Sequence, residues 1–153
     1  MSLCRFLSSY ISCEDDKLSI KDHKFYNLEE PTIKSAEGRM GIQLPDELKT
    51  FYNEIGYGFI NRGSSAINRL IDPESVADIR LKEDVYEFDP DLDIYTDSNK
   101  LVFFEAVEGL YLSISLSNRG TSPIYYIDTK IADSLEEFLR KIDEEEDYFY
   151  NLI

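Results

Sequence analysis

The densest cluster of side chains that could do chemistry lies between residues 83 and 100, in the stretch EDVYEFDPDLDIYTDSNK. Alternating carboxylates of this kind can bind calcium, because an EF-hand loop holds the ion with oxygens from alternate positions. With Asp89 as the first position, aspartates fill the first, third, fifth and ninth positions. The sixth position, which needs glycine, is Ile94, and the twelfth, which needs a bidentate glutamate, is Lys100. Two requirements fail, so we do not interpret the stretch as a calcium site.

Elsewhere in the sequence, we find no set of residues typical of nucleophilic catalysis or of zinc binding. His23 is the single histidine and lies in a charged connector, and no serine lies in a G-x-S-x-G elbow. Cys4 and Cys13 are the two cysteines, and with one histidine at this spacing they make no recognisable zinc site. We therefore expect no catalytic residue, no metal and no cofactor, and we predict that the protein is not an enzyme.

The glycines of LPDELKTFYNEIGYGFI, residues 44–60, could cradle a phosphate or end a helix. Phosphate-binding glycines follow a strand and open a helix, whereas here the helical pattern comes first. Pro45 suits the first helical position and Gly56 suits the left-handed residue that closes a helix. Between them, four apolar residues repeat at helical spacing: Leu48, Phe51, Tyr52 and Ile55. We interpret the glycines as part of the scaffold.

The acidic stretch after residue 83 remains open to two interpretations. In the first, its aromatic residues Tyr86, Phe88 and Tyr95 pack onto the core and its carboxylates only face water. In the second, exposed aromatic residues anchor a protein partner while the carboxylates attract basic side chains. A second acidic run, DEEEDYFY at 143–150, repeats this combination.

Composition limits the possible partners. The 153 residues are 42% hydrophobic and fit one folded domain. Their 31 acidic and 16 basic residues give a formal charge of −15, which repels nucleic acid and anionic membranes and attracts a basic protein. The charge could also serve solubility alone.

The cysteines and the hydropathy indicate where the protein acts. No apolar run approaches the ~18 residues of a membrane helix, and the first residues make a poor signal peptide. If residues 3–13 form a helix, the two cysteines lie on opposite faces and too far apart for a disulfide. We therefore expect a reduced, cytoplasmic protein.

Hydrophobic periodicity predicts helices first and strands later. Helices are predicted over residues 3–13, 31–40, 45–55, 73–81 and 134–142, with Asp72 as one cap and Ser134 to Glu137 as a capping box. Strands are predicted in KLVFFEAV (100–107), GLYLSISL (109–116) and IYYID (124–128). Residues 17–31 are interpreted as a connector and 58–65 as a turn. This order predicts an α+β fold in which an antiparallel β-sheet meander packs against several helices. We expect one domain over residues 1–153.

The order of these pieces resembles the SUKH superfamily of Smi/Knr-like proteins. EEPTIKSAEGRMGIQLPDELKTFYNEIGYGFI, residues 29–60, is similar to the paired helices of the family with an E-x-x-x-G-I-x-L-P junction. GLYLSISL, IYYID and IADSLEEFLRKI are similar to its hairpin, third strand and closing helix. The resemblance covers roughly residues 29–142.

The resemblance implies an immunity function. Members of the family commonly bind a cognate bacterial toxin, often a nuclease with a basic cleft, and block its active site or an adjacent surface. A protein-interaction or regulatory module of the same fold is the alternative. The candidate toxin-binding residues are Asp84, Glu87, Asp89, Asp91, Asp93, Tyr95 and Asp97, and the expected partner is a toxin with a basic domain rather than nucleic acid or a membrane.

Overall fold

The computed structural model describes residues 24–26, 28–60, 67–92, 95, 98–116, 121–145 and 148–152. Within these ranges, seven strands form one sheet whose spatial order follows the order of the sequence. Every neighbouring pair of strands is antiparallel. The same ranges contain four α-helices, so the predicted α+β class with an antiparallel meander is confirmed.

The helices agree with the sequence prediction to within two residues. They are α1 (Glu30–Met40), α2 (Asp46–Glu54), α3 (Pro73–Leu81) and α4 (Leu135–Glu144). The helix predicted over residues 3–13 lies outside the described residues.

The sheet has long central strands and short strands around them. Its strands are β1 (Lys24–Tyr26), β2 (Tyr57–Phe59), β3 (Arg69–Leu70), β4 (Lys100–Val107), β5 (Leu110–Ser115), β6 (Ile124–Tyr126) and β7 (Thr129–Ala132). The three predicted strands correspond to β4, β5 and β6. The other four were missed: β1 lies in the stretch interpreted as a connector, and β2 overlaps the stretch interpreted as a turn. Strands of two to four residues have too few positions to show a period of two.

Local side chains explain where α3 and α4 begin. Asp72 Oδ2 accepts a hydrogen bond from the Ser75 N–H at 3.1 Å, and Ser134 Oγ accepts one from the Glu137 N–H at 3.0 Å. Both predicted caps are therefore confirmed. In a capping box, the Glu137 carboxylate would accept a hydrogen bond from the Ser134 N–H. Here it accepts one from the N–H of the preceding residue, Asp133, at 3.1 Å.

The ends of α2 confirm one prediction and correct another. Pro45 precedes the helix as its N-cap and is not the first helical residue, because its ψ of 144° is extended. After the helix, Gly56 has a φ of 113°, and its N–H donates to the Phe51 carbonyl at 3.2 Å. Gly56 thus ends a helix, as predicted, and Gly58 lies in β2 with a φ of 144°.

The sheet has one face covered by helices. Residues paired directly across antiparallel strands lie on the same face, so Phe104 shares this helical face with Leu70 and Leu112. The Phe138 ring of α4 meets the Phe104 ring edge-on, with 5.1 Å between their centroids. The main hydrophobic core lies here.

The second face of the sheet carries polar and aromatic residues. Glu105 pairs with Arg69 on one side and Tyr111 on the other, so these three share this face. Along β5, Tyr111, Ser113 and Ser115 alternate with Leu112 and Ile114, and all three are buried. The second face is therefore also covered.

A buried carboxylate joins α2 to α4. Glu47, in the first turn of α2, is 5% exposed. Its Oε1 accepts from the backbone N–H groups of Ser122 at 2.6 Å and Leu135 at 3.1 Å, and its Oε2 accepts from the Glu136 N–H at 3.3 Å. Although Glu47 lies at the start of α2, its carboxylate accepts hydrogen bonds from N–H groups at the start of α4, which have no partners within that helix.

Candidate functional site

The acidic segment, residues 83–97, connects α3 to β4. Lys82 ends α3 in a left-handed conformation with a φ of 54°. Two 3₁₀ turns follow, Asp84–Tyr86 and Pro90–Leu92. Residues 93, 94, 96 and 97 lie outside the described part of the chain, as does the Asp91 side chain. The geometry of the segment is therefore built on residues 83–92 and 95.

The first half of the segment is attached to the sheet through Tyr86. Its hydroxyl accepts a hydrogen bond from Arg69 Nη2 at 3.3 Å, and Arg69 Nη2 lies 3.4 Å from Glu105 Oε1. Burial raises the pKa of the Glu105 carboxyl, while the Arg69 charge and a hydrogen bond from the Tyr111 hydroxyl act in the opposite direction. Tyr86 thus rests on a charged network of the second face.

The start of the segment is also attached to the helices. Arg39 of α1 contacts Glu74 at 2.7 Å and also pairs with Asp78, both in α3. The same guanidinium lies 3.7 Å from Glu83 Oε2. These groups are partly exposed, so each pair contributes little to stability, but together they fix the direction in which the chain leaves α3.

The second half of the segment is attached through Leu92 and Tyr95. Leu92 is 2% exposed. The Tyr95 hydroxyl accepts from the Tyr111 N–H at 3.0 Å, and its ring meets the rings of Tyr111 and Tyr126 at centroid distances of 5.6 and 6.4 Å. Tyr95, a candidate contact residue, is half-buried and holds the segment on the sheet.

Between these attachments, the chain projects into solvent. Phe88 is 87% exposed, the most exposed of the large hydrophobic residues among those the structure describes. Of the candidate carboxylates, Asp84 and Glu87 are exposed and Asp89 is half-buried. Three of the predicted acidic residues therefore lie in the same short stretch of chain as an exposed aromatic ring.

Phe88 is absent from the candidate residues predicted from the sequence. In the sequence it is one of three aromatic residues of the segment, with Tyr86 and Tyr95, and no periodicity over this irregular stretch shows which ring faces water. One signal was available: Phe88 is the one without a hydroxyl, so it could not make the hydrogen bonds that hold the two tyrosines.

A cavity of about 360 Å³ lies beside the acidic segment. Leu92 and Leu101 form part of its apolar lining, and Arg80 and Lys100 contribute positive charge. Arg80 donates to the carbonyls of Ser98 at 3.2 Å and Lys100 at 3.3 Å, and Lys100 Nζ donates to the Ile127 carbonyl at 2.7 Å. Both cations are thus engaged in holding the start of β4.

The aromatic residues of the second acidic run support the core. Phe149 is fully buried, and the Tyr148 hydroxyl donates to the Ile131 carbonyl at 2.9 Å. The Tyr148 ring also packs against Phe138 of α4. Tyr150 is 37% exposed and stacks on Phe149, so even the most exposed described ring of this run is far less exposed than Phe88.

The residues that the structure describes contain neither a cluster of metal ligands nor a membrane-spanning helix. Among them, no group of three or more histidine, cysteine, aspartate or glutamate side chains could hold a metal ion. In the same part of the chain, no helix is long and apolar enough to span a membrane. His23, Cys4 and Cys13 fall outside it.

Comparison with known proteins identifies the family. The SUKH_6 family, described as SMI1-KNR4 cell-wall, matches residues 30–139, a span that begins with α1, ends inside α4 and includes the acidic segment. A Bacillus subtilis (strain 168) protein named Immunity protein YxxD is 44% identical over 137 residues, which are 88% of this chain and 93% of that protein. No solved structure gives a significant match. The chain therefore belongs to the SUKH_6, or SMI1-KNR4, family, and the resemblance to the SUKH superfamily is confirmed.

Proposed function

We propose that this chain is a non-enzymatic immunity protein that binds a cognate bacterial toxin and neutralises it. The single observation that carries the proposal is the acidic segment, which is attached to the fold at both ends and presents Asp84, Glu87 and Phe88 to solvent. The 44% identity to a protein named as an immunity protein supports the same function. We place the interaction in the cytoplasm, where a toxin that entered or was made there would act.

The charge of the chain favours a toxin with a basic domain, such as a nuclease. A formal charge of −15 attracts a basic surface over a distance of about one Debye length, roughly 8–10 Å at physiological salt. Exposed carboxylates then pair with basic side chains around the substrate cleft. In this proposal, the residues facing the toxin are Asp84, Glu87, Asp89, Asp91, Asp93, Tyr95 and Asp97, and their position blocks the active site or a surface beside it.

Capture followed by co-expression tests this function. The immobilised chain is exposed to lysate of its source organism at low and moderate salt, and each captured protein is expressed alone and with this chain. We expect one captured protein to stop growth when expressed alone and to permit growth when this chain is present. An unrelated acidic protein of similar size serves as the control and should not restore growth.

Two outcomes would contradict the proposal. If the captured proteins are not toxic and belong to ordinary cellular processes, the chain is an interaction or regulatory module. If no protein is retained at either salt concentration, the acidity serves solubility and the proposed binding face is wrong.

A further inference from the structure

Phe88 has no structural role among the described residues that would explain its phenyl ring. Its neighbours in the segment are used by the fold: Tyr86 contacts Arg69, and Tyr95 contacts Tyr111. Phe88 instead leaves 87% of its surface in water. A single exposed apolar residue is common, and what distinguishes Phe88 is its position in the acidic segment.

The backbone around Phe88 is held in place before any partner binds. The Glu87 N–H donates to the Asp84 carbonyl at 3.2 Å, and the Asp89 N–H donates to the Tyr86 carbonyl at 3.4 Å. Two residues before Phe88, Tyr86 is attached to the sheet; four residues after it, Leu92 is buried. A ring carried on such a short, attached segment loses little conformational entropy on binding.

The charges around Phe88 define the partner surface that it fits. Glu87 and Asp89 flank it directly in the chain, and Asp84 lies in the preceding turn. An aromatic ring buried in an apolar depression, with charged pairs around its edge, is the usual arrangement of an energetic hot spot. The matching partner surface is an apolar depression bordered by lysine and arginine side chains.

We propose that Phe88 is the anchor of the toxin interface and inserts into an apolar depression on the toxin domain bordered by basic side chains. This inference rests on the proposed function. It assigns separate roles within one surface: the carboxylates accelerate encounter, and Phe88 slows dissociation. Tyr86 and Tyr95 position the segment that carries the ring.

The test compares Phe88→Ala with Phe88→Leu and with Leu152→Ala. Leu152 is 51% exposed, so its truncation removes exposed apolar surface outside the acidic segment. The probe is a purified, catalytically inactive variant of the toxin domain that the co-expression test identifies. Association and dissociation rates are measured at low and moderate salt. Thermal unfolding of each variant checks that the fold is intact, and we expect unchanged melting temperatures because both side chains are exposed.

Phe88→Ala should weaken binding by about 30-fold or more, mainly through faster dissociation, with the salt dependence of association unchanged. Phe88→Leu should retain much of the affinity, and Leu152→Ala should bind like the wild type. Wild-type-like dissociation of Phe88→Ala would overturn the anchor while leaving the immunity function standing. Failure of the wild-type chain to bind or to protect against any toxin would overturn both.

Discussion

Glu47 determines where two helices and a loop meet. Three backbone N–H groups, from Ser122, Leu135 and Glu136, donate to its carboxylate. Two of them belong to the first turn of α4, which has no intrahelical acceptors for its N–H groups. The carboxylate therefore satisfies donors that would otherwise be buried without partners, and its charge also lies at the positive end of the α4 dipole.

We predict that Glu47→Gln lowers the free energy of unfolding by about 1–3 kcal/mol. The amide keeps the shape of the side chain but replaces one accepting oxygen by a donor, which then faces an N–H group. Chemical denaturation measures the change. Asp46→Asn is the matched control, because Asp46 is exposed in the same turn of α2, and it should change stability by less than about 0.5 kcal/mol.

The comparison of these two neighbours decides the role of Glu47. Equal stability losses in Glu47→Gln and Asp46→Asn would mean that charge at the start of α2, and not the bonds to α4, stabilises the fold. An unchanged Glu47→Gln variant would contradict the assigned network directly.

At the scale of elements, the acidic segment is a connection fixed by aromatic residues. It crosses from α3 to β4 with no regular helix or strand among its described residues, apart from its two 3₁₀ turns. Tyr86 attaches it through a side chain, Arg69, that is itself 30% exposed. Tyr95 attaches it through the backbone N–H of Tyr111, a buried residue of β5. The two attachments therefore differ in how easily water can replace them.

We predict that Tyr95→Phe destabilises the protein by about 1–3 kcal/mol and that Tyr86→Phe costs less than about 1 kcal/mol. Removing the Tyr95 hydroxyl leaves a strand N–H without its acceptor, whereas water can replace the Tyr86 hydroxyl at the partly exposed guanidinium. Denaturation gives the energies. Amide exchange at Glu87 and Asp89, whose N–H groups bond within the turn, reports the order of the segment.

Faster exchange at these two amides is expected in Tyr95→Phe. If Tyr95→Phe leaves stability and exchange at wild-type values, the Tyr95 hydroxyl does not hold the segment, and any loss of toxin affinity then reports only its contact with the toxin.

Whether a feature of this fold could be predicted from the sequence depends on how far apart along the chain its interacting residues lie. The caps at Asp72 and Ser134 depend on residues three positions away, and the helices and central strands show their own periods, so both could be predicted. β3 has two residues and no period of its own; it forms because Leu70 pairs with Phe104 far along the chain. Glu47 bonds to residues 75 to 89 positions away, and no local pattern contains that information.

The candidate site also has a part that could be predicted from the sequence and a part that could not. Composition alone identified the acidic segment and its charge. Whether Tyr86, Phe88 or Tyr95 faces water depends on which ring finds a partner on the sheet, and those partners, Arg69 and Tyr111, are on other strands. The sequence therefore indicated the acidic segment but not which of its aromatic residues is exposed.

At the scale of the whole molecule, the proposed function assigns charge and shape to different stages of binding. The formal charge of −15 acts at long range and is screened by salt. The exposed tip of the acidic segment acts only on contact. A sheet covered on both faces holds that segment, and in the proposed function the long-range field directs a basic toxin domain toward it.

The association rate of this chain with its toxin domain, measured from about 50 to 300 mM salt, tests the central claim most directly. The variant Asp84→Lys/Glu87→Lys/Asp89→Lys is compared with Glu29→Lys/Glu144→Lys/Glu145→Lys, which makes the same change in net charge at exposed carboxylates elsewhere. We predict that the first variant associates about tenfold more slowly at low salt, with a flatter salt dependence, while the second stays much closer to wild type. Equal slowing in the two variants would contradict the claim that the acidic segment is the toxin-binding surface.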